Sequence, residues 1–393
     1  MNSSVEYTKK QLPKKLSQVG IALLILGLVL SVAAYILEPV RSAFNNAIML
    51  MFLSSIGVGS LFFVALEYLG GAVWSTPFRR ISEFLAAVLL ILPIVVLPLL
   101  FNLHDLFHWT HLDVVESDKI LSGKSGYLNA SFFIIRTVAF YAIWILFFVL
   151  ITRNSYKQDL SGDQKLTAKN IKLSAIFMPL FAITVTFSAI DWLMSLEPHW
   201  FSTIFGVYYF SGTVLAGLAA VTFIVVVLNE NGYLAKGIIK DHYYSLGALL
   251  FAFTNFWAYI AFSQFLLIWY ANLPEETVWF LQRWEGSWIA VSLALLLIRF
   301  LIPYFGLLSQ PSKMNPKRLK TISIVILFAH FLDLYWLIMP TYSRDGFVFG
   351  WIEIGFLILT VGLLITVFIL RSKNTNMIAI GDPKLKRGLN FRM

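Results

Sequence analysis

Long apolar runs recur from one end of the chain to the other, and the polar positions gather in the short stretches between them. An apolar run of about 20 residues is long enough to cross the ~30 Å hydrocarbon core of a bilayer as a helix. These runs are continuously apolar, whereas the strands of a membrane barrel alternate between apolar and polar positions. We therefore predict an all-α integral membrane protein with ten transmembrane helices, at 17–37, 43–69, 81–103, 129–152, 171–190, 204–228, 243–271, 285–308, 320–339 and 347–371.

The composition agrees with this prediction. Of the 393 residues, 59% are apolar and 13% are charged, and the mean hydropathy is +0.77. A soluble protein carries about 25% charged residues. The longest connection between predicted helices, at 104–128, is too short for a soluble domain. We therefore expect one polytopic membrane domain over 1–393 that ends in a cytoplasmic tail at 372–393.

Basic residues are divided unevenly between the two sides of the predicted membrane. The N-terminal segment, the alternate connections and the C-terminal tail, with the adjoining helix ends, carry 23 Lys and Arg residues, and the other connections carry five. The side rich in Lys and Arg is cytoplasmic by the positive-inside rule, so both termini are predicted to be cytoplasmic. The net charge of +9 fits attraction to anionic lipid headgroups, and no nucleic-acid partner is expected.

The metal-binding residue types limit the cofactors that the chain itself could hold. It has no cysteine, which excludes thiolate-ligated iron–sulfur clusters and covalently attached haem. Only His330 among the six histidines falls at membrane depth, so a haem held between two membrane histidines is excluded as well. We therefore predict that this chain binds no haem and no iron–sulfur cluster.

Three further histidines occur together in the outer connection HDLFHWTHLD at 104–113. His104, His108 and His111 are spaced so that they would share one face of a helix. This spacing fits an interfacial amphipathic turn, a metal site or a polar lining for a ligand headgroup. We favour the amphipathic turn and predict no metal site.

The segment AHFLDLYW at 329–336 places two titratable groups inside one of the most apolar runs. His330 and Asp333 are three residues apart and share a helix face. Arg299 lies at similar depth on the preceding antiparallel helix, so we expect an ion pair between Arg299 and Asp333 with His330 beside it. A charge near the bilayer centre costs roughly 2.5–3.5 kcal/mol on insertion scales. The group is therefore either a proton relay or a static clamp between helices.

Other ionisable groups lie nearer the ends of the predicted helices. Glu67 and Glu83 lie towards the inner side, where they could extend a proton path, snorkel to the interface or line a loop. Asp191 and Glu353 lie towards the outer side, where they could complete such a path or, being shallow, could be in contact with water. Arg136, also towards the outer side, could clamp one helix to another.

Tryptophan is concentrated on the predicted outer side, which holds nine of the 12 residues. An interfacial aromatic belt explains part of this bias. The remainder could form an outer surface that docks a partner, since tryptophan is enriched at protein interfaces.

Three stretches carry a resemblance to a known family. They are DWLMSLEPHWFSTIFGVYYFSG at 191–212, FSQFLLIWYANLPEETVWF at 262–280 and RWEGSW at 283–288. The chain resembles the NrfD-like family of polysulfide-reductase membrane subunits, and within it the ActF subunits of bacterial alternative complex III, a quinol-oxidising respiratory complex. The resemblance implies two four-helix bundles, here 43–190 and 204–339, with 17–37 and 347–371 as flanking helices.

The same resemblance implies a function and a set of partners. It implies a subunit in the bacterial inner (cytoplasmic) membrane, beside a sister NrfD-like membrane subunit. Outer-face iron–sulfur and cytochrome c subunits are implied as well, with a terminal oxidase as a further partner. Such a subunit would not be catalytic alone; it would contribute a proton path through Glu67, Glu83, Arg299, His330, Asp333, Asp191 and Glu353. A quinone or menaquinone is the one ligand that the resemblance suggests. The family's site lies at the outer end of the first bundle, which offers His104, His108, Arg136 and Asp191 as headgroup partners.

Two other functions remain open at this point. A structural membrane anchor would have no ligand of its own, and its buried charges would hold helices together. A stand-alone secondary transporter would need broken helices in paired repeats around a midplane site. The two halves of the sequence show no convincing repeat, which argues against the transporter.

Overall fold

The structure, a computed structural model, describes residues 10–393, and it confirms the predicted helical architecture. Ten helices are long and apolar enough to cross a membrane, and no strand occurs among the described residues. We label these helices α1 to α10: Lys14–Leu37, Pro39–Leu69, Thr76–Phe101, Ala130–Ser161, Lys165–Leu196, Phe205–Glu230, Lys240–Ala271, Trp288–Leu307, Pro316–Tyr342 and Trp351–Lys373. The number of predicted helices is therefore confirmed.

Several helices extend beyond their apolar runs. The predicted fourth helix ends at 152, but α4 continues through a polar segment to Ser161. Its start is capped by Asn129, whose side-chain oxygen accepts a hydrogen bond of 2.9 Å from the backbone N–H of Phe132. Its end is set by Gly162, which adopts the left-handed conformation at φ +64°. Capping thus determines these bounds, and the hydrophobic run alone does not.

Short helices lie in two of the connections. The connection between α3 and α4 contains helical turns at Leu103–Leu106, His108–Thr110, Leu112–Ser117 and Lys119–Lys124. A longer helix at Pro274–Trp284 lies between α7 and α8. This helix packs against α7, α8 and α9.

The helices pack around α2 and α6. Helix α2 contacts α3, α5, α6, α9 and α10, and helix α6 contacts α2, α5, α7 and α9. These two helices approach so closely that a Cβ on Gly217 would lie 2.7 Å from the carbonyl carbon of Gly59. Small residues commonly allow such close helix crossings in membrane proteins. The crossing joins the group α2–α5 to the group α6–α9, while α1 and α10 pack on each other beside α2.

Two helices are irregular along their length. Helix α3 is divided into short 3₁₀ and α-helical pieces around Pro93 and Pro98. Helix α8 contains a π-helical turn at Leu296–Leu301, immediately before Pro303. A proline within a helix removes a backbone donor and disturbs the preceding turn, and π turns often occur at functional sites.

The C-terminal tail folds back against one face of the helical assembly. Met377, Ile378 and Ala379 are buried, and the backbone carbonyl of Gly388 accepts a hydrogen bond of 2.9 Å from His242 Nε2 at the start of α7. We call the face covered by this tail the tail face, and the other one the opposite face. The tail therefore belongs to the folded structure and contacts both groups of helices.

Candidate functional site

Four polar side chains from three helices meet inside the second group of helices. We call Tyr208 of α6, Arg299 of α8, and His330 and Asp333 of α9 the midplane cluster. Arg299 Nη2 lies 3.1 Å from His330 Nδ1 and 3.4 Å from Asp333 Oδ2. The Tyr208 hydroxyl donates a hydrogen bond to Asp333 Oδ1. The expected contact of Arg299 with Asp333, with His330 beside it, is therefore present.

Local backbone geometry positions Arg299. The residue lies in the π-helical turn of α8, close to Pro303. Its guanidinium carbon lies 4.6 Å from the ring centre of Trp257 on α7, in a cation–π contact. On the other side is Gly212 of α6, where a Cβ would lie only 2.7 Å from Arg299 Nη2. The glycine leaves the space that the guanidinium needs to reach α9.

The midplane cluster is buried but its hydrogen bonds are incomplete. Arg299, His330 and Asp333 are only 1%, 1% and 2% exposed. A guanidinium can only donate, so His330 Nδ1 accepts from Arg299 and the proton of the neutral ring resides on Nε2. No described residue pairs with His330 Nε2 or with Nε and Nη1 of Arg299. Buried polar atoms are normally hydrogen-bonded, so these open donors are suited to internal water or a transferable proton.

The cluster extends from the middle of α9 towards the opposite face. His330 is near the centre of α9, and Tyr208 lies three residues after the start of α6. At 1.5 Å of rise per residue, Tyr208 is about 5 Å from that helix end. The four side chains therefore extend from the middle of α9 towards the opposite face.

By contrast, the pair of Arg136 on α4 and Asp191 on α5 is fully hydrogen-bonded. Arg136 Nε lies 2.7 Å from Asp191 Oδ2, and Nη2 lies 3.1 Å from Oδ1. Asp191 Oδ1 also accepts a hydrogen bond of 2.8 Å from the Tyr127 hydroxyl. Asp191 is 0% exposed, so it is not in contact with the solvent outside the protein. The arrangement is that of a clamp between two neighbouring helices.

Glu353 of α10 forms a second saturated pair. Its carboxylate receives hydrogen bonds of 2.9 and 2.7 Å from Arg41 of α2, 3.0 Å from Asn45 and 2.7 Å from the backbone N–H of Gly350. Glu353 is also 0% exposed, so it too is not in contact with that solvent. This pair fastens the flanking helix α10 to α2.

Glu67 belongs to a buried network near the tail face. Arg79 Nη1 lies 3.0 Å from Glu67 Oε1 and 2.7 Å from Asp382 Oδ2 of the tail. The Arg79 guanidinium also lies over the Tyr68 ring, 4.6 Å from its centre. Glu67 is thus held by an arginine within the protein and does not snorkel to the interface.

Glu83 continues the same network through a second arginine. Arg80 lies 2.8 Å from Glu83 Oε2 and 2.6 Å from Asp159 Oδ2, while Ser155 donates to Glu83 Oε1 at 2.8 Å. Arg79 Nε lies 3.4 Å from Glu83 Oε1. Glu83 is therefore buried in an ion-pair network and does not line a loop.

The proton-path residues predicted from sequence therefore occupy four separate groups. Arg299, His330 and Asp333 are together, Glu67 and Glu83 are together, and Asp191 and Glu353 each pair with a different arginine. Both carboxylate oxygens of Asp191 and of Glu353 accept hydrogen bonds. Arginine and histidine donors without a partner among the described residues occur at the midplane cluster and also at Arg79 and Arg80 near the tail face. The midplane cluster lies away from the ends of α8 and α9, which makes it the stronger candidate for proton chemistry at membrane depth.

The histidine-rich connection does not form one continuous helix. The chain is extended at Phe107, with φ −124° and ψ 111°, so the predicted single helical face is wrong. The rings of His104 and His111 lie 3.6 Å apart, and His111 Nε2 donates 2.9 Å to the carbonyl of His104. Partial burial, with His111 nearby, lowers the pKa of His108. Among residues 10–393 no group of three metal-ligating side chains is arranged for a metal ion.

The four predicted quinone-headgroup partners are divided between two settings. His104 and His108 lie at the exposed surface of the α3–α4 connection. Arg136 and Asp191 are buried, and their hydrogen bonds go to each other and to Tyr127. Nothing in the described contacts brings the histidines to this ion pair.

A cavity that the sequence analysis missed lies in the second group of helices. It has a volume of about 570 Å³ and lies between α7, α8 and the helix Pro274–Trp284. Its walls are mainly aromatic, including Phe262, Phe265, Trp279, Trp284 and Trp336, and its polar lining includes Tyr208, Gln264 and Ser292. The cavity thus reaches the midplane cluster through Tyr208. Its lining residues are mostly aromatic and aliphatic side chains spread over several helices, so no sequence pattern marks them.

Most of the tryptophans on the predicted outer side are internal. Six of the nine are buried, and only three are well exposed; the buried ones are Trp109, Trp192, Trp200, Trp279, Trp288 and Trp336, and the exposed ones are Trp269, Trp284 and Trp351. Trp200 and Trp279 stack with ring centres 4.4 Å apart. These buried rings fill the interior and cannot provide the docking surface that their number suggested.

Comparison of the chain with known protein families and with curated proteins gave no match.

Proposed function

We propose that the chain is an integral membrane subunit of a quinol-oxidising electron-transfer complex in the bacterial cytoplasmic membrane, and that its midplane cluster relays protons. The resemblance of 191–212, 262–280 and 283–288 to NrfD-like subunits supports the choice of complex. The ten helices long and apolar enough to cross a membrane are consistent with that choice. In this proposal the tail face is cytoplasmic, since it carries most of the Lys and Arg residues.

The observation that carries the relay is the contrast between the midplane cluster and the two clamps. The carboxylates of Asp191 and Glu353 have every oxygen occupied by a hydrogen bond. The midplane cluster is equally buried, yet it leaves donors of Arg299 and His330 without partners. A static clamp has no use for open donors in a low-dielectric interior, where each one is costly.

The order of groups suggests how a proton would move. Asp333 lies between Arg299 and the Tyr208 hydroxyl. Protonation of Asp333 would remove its charge attraction to Arg299, and deprotonation would restore it. Tyr208 can both donate and accept, so it can pass a proton between Asp333 and the cavity. Glu67 and Glu83, in the arginine network at the tail face, would supply protons from the cytoplasmic side through internal water.

In this proposal the chain holds no redox metal, and its partners supply electron transfer. These partners are a sister NrfD-like membrane subunit and outer-face iron–sulfur and cytochrome c subunits, with a terminal oxidase downstream. Lipid surrounds the remaining surface. The subunit is not expected to catalyse quinol oxidation by itself.

Affinity isolation of the tagged chain from native membranes tests the assignment to a complex. We expect haem-bearing subunits to accompany the chain and to be reduced by an added quinol. An unrelated tagged membrane protein from the same cells serves as the control. Isolation of the chain without any haem partner would contradict the proposal, and solute movement by the isolated chain would favour a transporter.

A structural anchor is the second candidate function. The saturated pairs Arg136–Asp191 and Arg41–Glu353 favour it, because they fix helices without leaving a transferable proton. If His330 also served only as a clamp, substitution of His330 would impair assembly while leaving turnover of the assembled complex intact. The measurement of turnover per assembled complex therefore separates the two functions.

A further inference from the structure

We propose that the aromatic cavity in the second group of helices binds the headgroup of a quinone-class ligand. By this we mean a six-membered ring with two oxygen substituents and an apolar tail. This choice of ligand rests on the proposed function, but the site itself differs from the predicted one at His104, His108, Arg136 and Asp191. The proposed site lies among the helices that carry the midplane cluster.

The size and walls of the cavity suit a flat apolar ring. Its volume of about 570 Å³ falls within the roughly 300–1,000 Å³ found for sites of small ligands. Trp279 and Trp336, whose ring centres lie 5.2 Å apart, form part of the wall, and Phe262 and Phe265 line it from α7. Aromatic rings pack favourably against each other in stacked and edge-on arrangements.

The entrance of the cavity faces the lipid. Phe262, Leu293 and Leu296 line the cavity and are each at least half exposed on the surface of the protein. Such a surface lies against acyl chains in a protein of this architecture. A ligand with an apolar tail could therefore enter sideways from the bilayer and leave its tail among the lipids.

Gln264 supplies the hydrogen-bonding group that distinguishes a quinone-class ligand from an acyl chain. Its side chain lines the cavity and is 4% exposed, and its Oε1 has no hydrogen-bond partner among the described residues. A buried carbonyl oxygen without a partner destabilises the folded protein, because it has lost its hydrogen bonds to water. A ring hydroxyl of the reduced ligand, the quinol, would donate to Oε1, whereas an acyl chain offers nothing to donate.

Two further polar residues of the cavity lining already take part in hydrogen bonds within the protein. Ser292 is already satisfied, since it donates 2.7 Å to the carbonyl of Arg283 and accepts 2.8 Å from Trp336 Nε1. Tyr208 lines the cavity and donates to Asp333. A ligand oxygen near Tyr208 would thus be one hydroxyl away from the midplane cluster, which gives the cavity a direct connection to the proposed relay.

The first group of helices offers a weaker site for the same ligand. Arg136 already donates two hydrogen bonds to Asp191, and the Tyr127 hydroxyl donates a third. A quinol would have to break these buried bonds in order to form its own. Binding at Gln264 requires no such exchange.

Photoaffinity labelling of the full chain tests this site directly. The chain is placed in phosphatidylcholine nanodiscs with an azido derivative of a quinone that carries one isoprene unit, and the labelled peptides are mapped by mass spectrometry. Quenching of tryptophan fluorescence by the parent quinol, kept reduced under nitrogen, gives the Kd, because only the reduced ring carries a hydroxyl that can donate to Gln264. We expect labelling of α7 or α8 near 257–265 or 292–300.

Two variants and two controls sharpen the test. Ala261→Phe fills the cavity from α7, and we expect it to weaken quinone binding at least roughly tenfold. Gln264→Leu removes the amide, and we expect roughly fivefold weaker binding from the loss of one hydrogen bond. Ala252→Phe adds the same ring to an exposed position of α7 outside the cavity, and Gln282→Leu removes an amide that does not line it. Both controls should bind like the parent protein.

Three results would overturn the inference. These are labelling confined to peptides around 104–136, binding that Ala261→Phe leaves unchanged, and a phospholipid retained in the cavity with no quinone bound. The measurement needs no partner subunit and no proton movement. If the chain joins a haem-bearing complex but binds no quinone in this test, the proposed binding site is rejected. The proposed function would then still stand.

Discussion

A Cβ atom on Gly212 would lie 2.7 Å from Nη2 of Arg299, so the absence of a side chain on α6 is what lets the arginine reach α9. The backbone of α6 at Gly212 thus leaves space for the ion pair between Arg299 of α8 and Asp333 of α9. Real Cβ atoms do not approach a heavy atom this closely, so any larger residue at 212 must displace the guanidinium. Arg299 is 1% exposed, so a displaced guanidinium must find its new position inside the protein.

Gly212→Ala should therefore destabilise the protein. Overpacking of this kind costs about 1–3 kcal/mol, and the displaced arginine would also lose its contacts with His330 and Asp333. Thermal unfolding in detergent measures the effect. Gly123→Ala is the control, because a Cβ at Gly123 meets nothing within 4 Å. Equal stability of the two variants would contradict the role assigned to Gly212.

The Arg136–Asp191 pair should behave as a clamp in a double-mutant cycle. Arg136→Met leaves the Asp191 carboxylate buried without its cation, which should cost about 3–5 kcal/mol. The double variant with Asp191→Leu should recover much of this loss, since it removes both charges together. Unfolding in mixed micelles with increasing dodecyl sulfate gives the energies. Losses that simply add would show that the two residues do not act as a pair.

Asp382 should hold the C-terminal tail in place. It lies 2.7 Å from Arg79, and the Asp382→Asn variant would weaken this buried ion pair. If about 1–2 kcal/mol is lost, the open population should rise by a factor of roughly 5–30. Trypsin cleavage at Lys384 or Arg387 in detergent solution follows that population. Asp345→Asn, at an exposed position on the opposite face, is the control, and equal cleavage of both variants would rule out this latch.

His330 should matter more for turnover than for assembly. The His330→Gln variant keeps a side chain that can accept from Arg299 but can no longer titrate. We expect the complex to assemble in normal amounts and its proton-coupled turnover to fall. The yield of assembled complex and the rate per complex are measured separately. Loss of assembly with an unchanged rate per complex would favour the anchor.

The sequence was sufficient to predict the helices and part of the midplane cluster. Continuous apolar runs determine the number of helices, and the depth of Arg299, His330 and Asp333 on adjacent antiparallel helices predicts their meeting. Tyr208 was missed because it occurs in an aromatic stretch at the start of α6, 125 residues before Asp333. Nothing in that stretch marks one tyrosine as the partner of a distant carboxylate.

The partners of the peripheral carboxylates could not be predicted for the same physical reason. Arg41 and Glu353 are 312 residues apart and meet only because α10 packs beside α2. Depth along each helix suggested that Glu353 and Asp191 could be in contact with water, but depth does not say which side of a helix is covered by its neighbours. Asp382 likewise depends on the folding of the tail under α3. Long-range packing decides all of these contacts.

The number of protons moved per electron tests the proposed relay most directly. The measurement uses the intact complex in sealed vesicles and compares the Asp333→Asn variant with the parent complex. The control variant is Asp191→Asn, because Asp191 is also a buried carboxylate but belongs to a saturated ion pair. We predict a lower ratio for Asp333→Asn and an unchanged ratio for Asp191→Asn. A ratio for Asp333→Asn equal to that of the parent complex would contradict the relay at the midplane cluster.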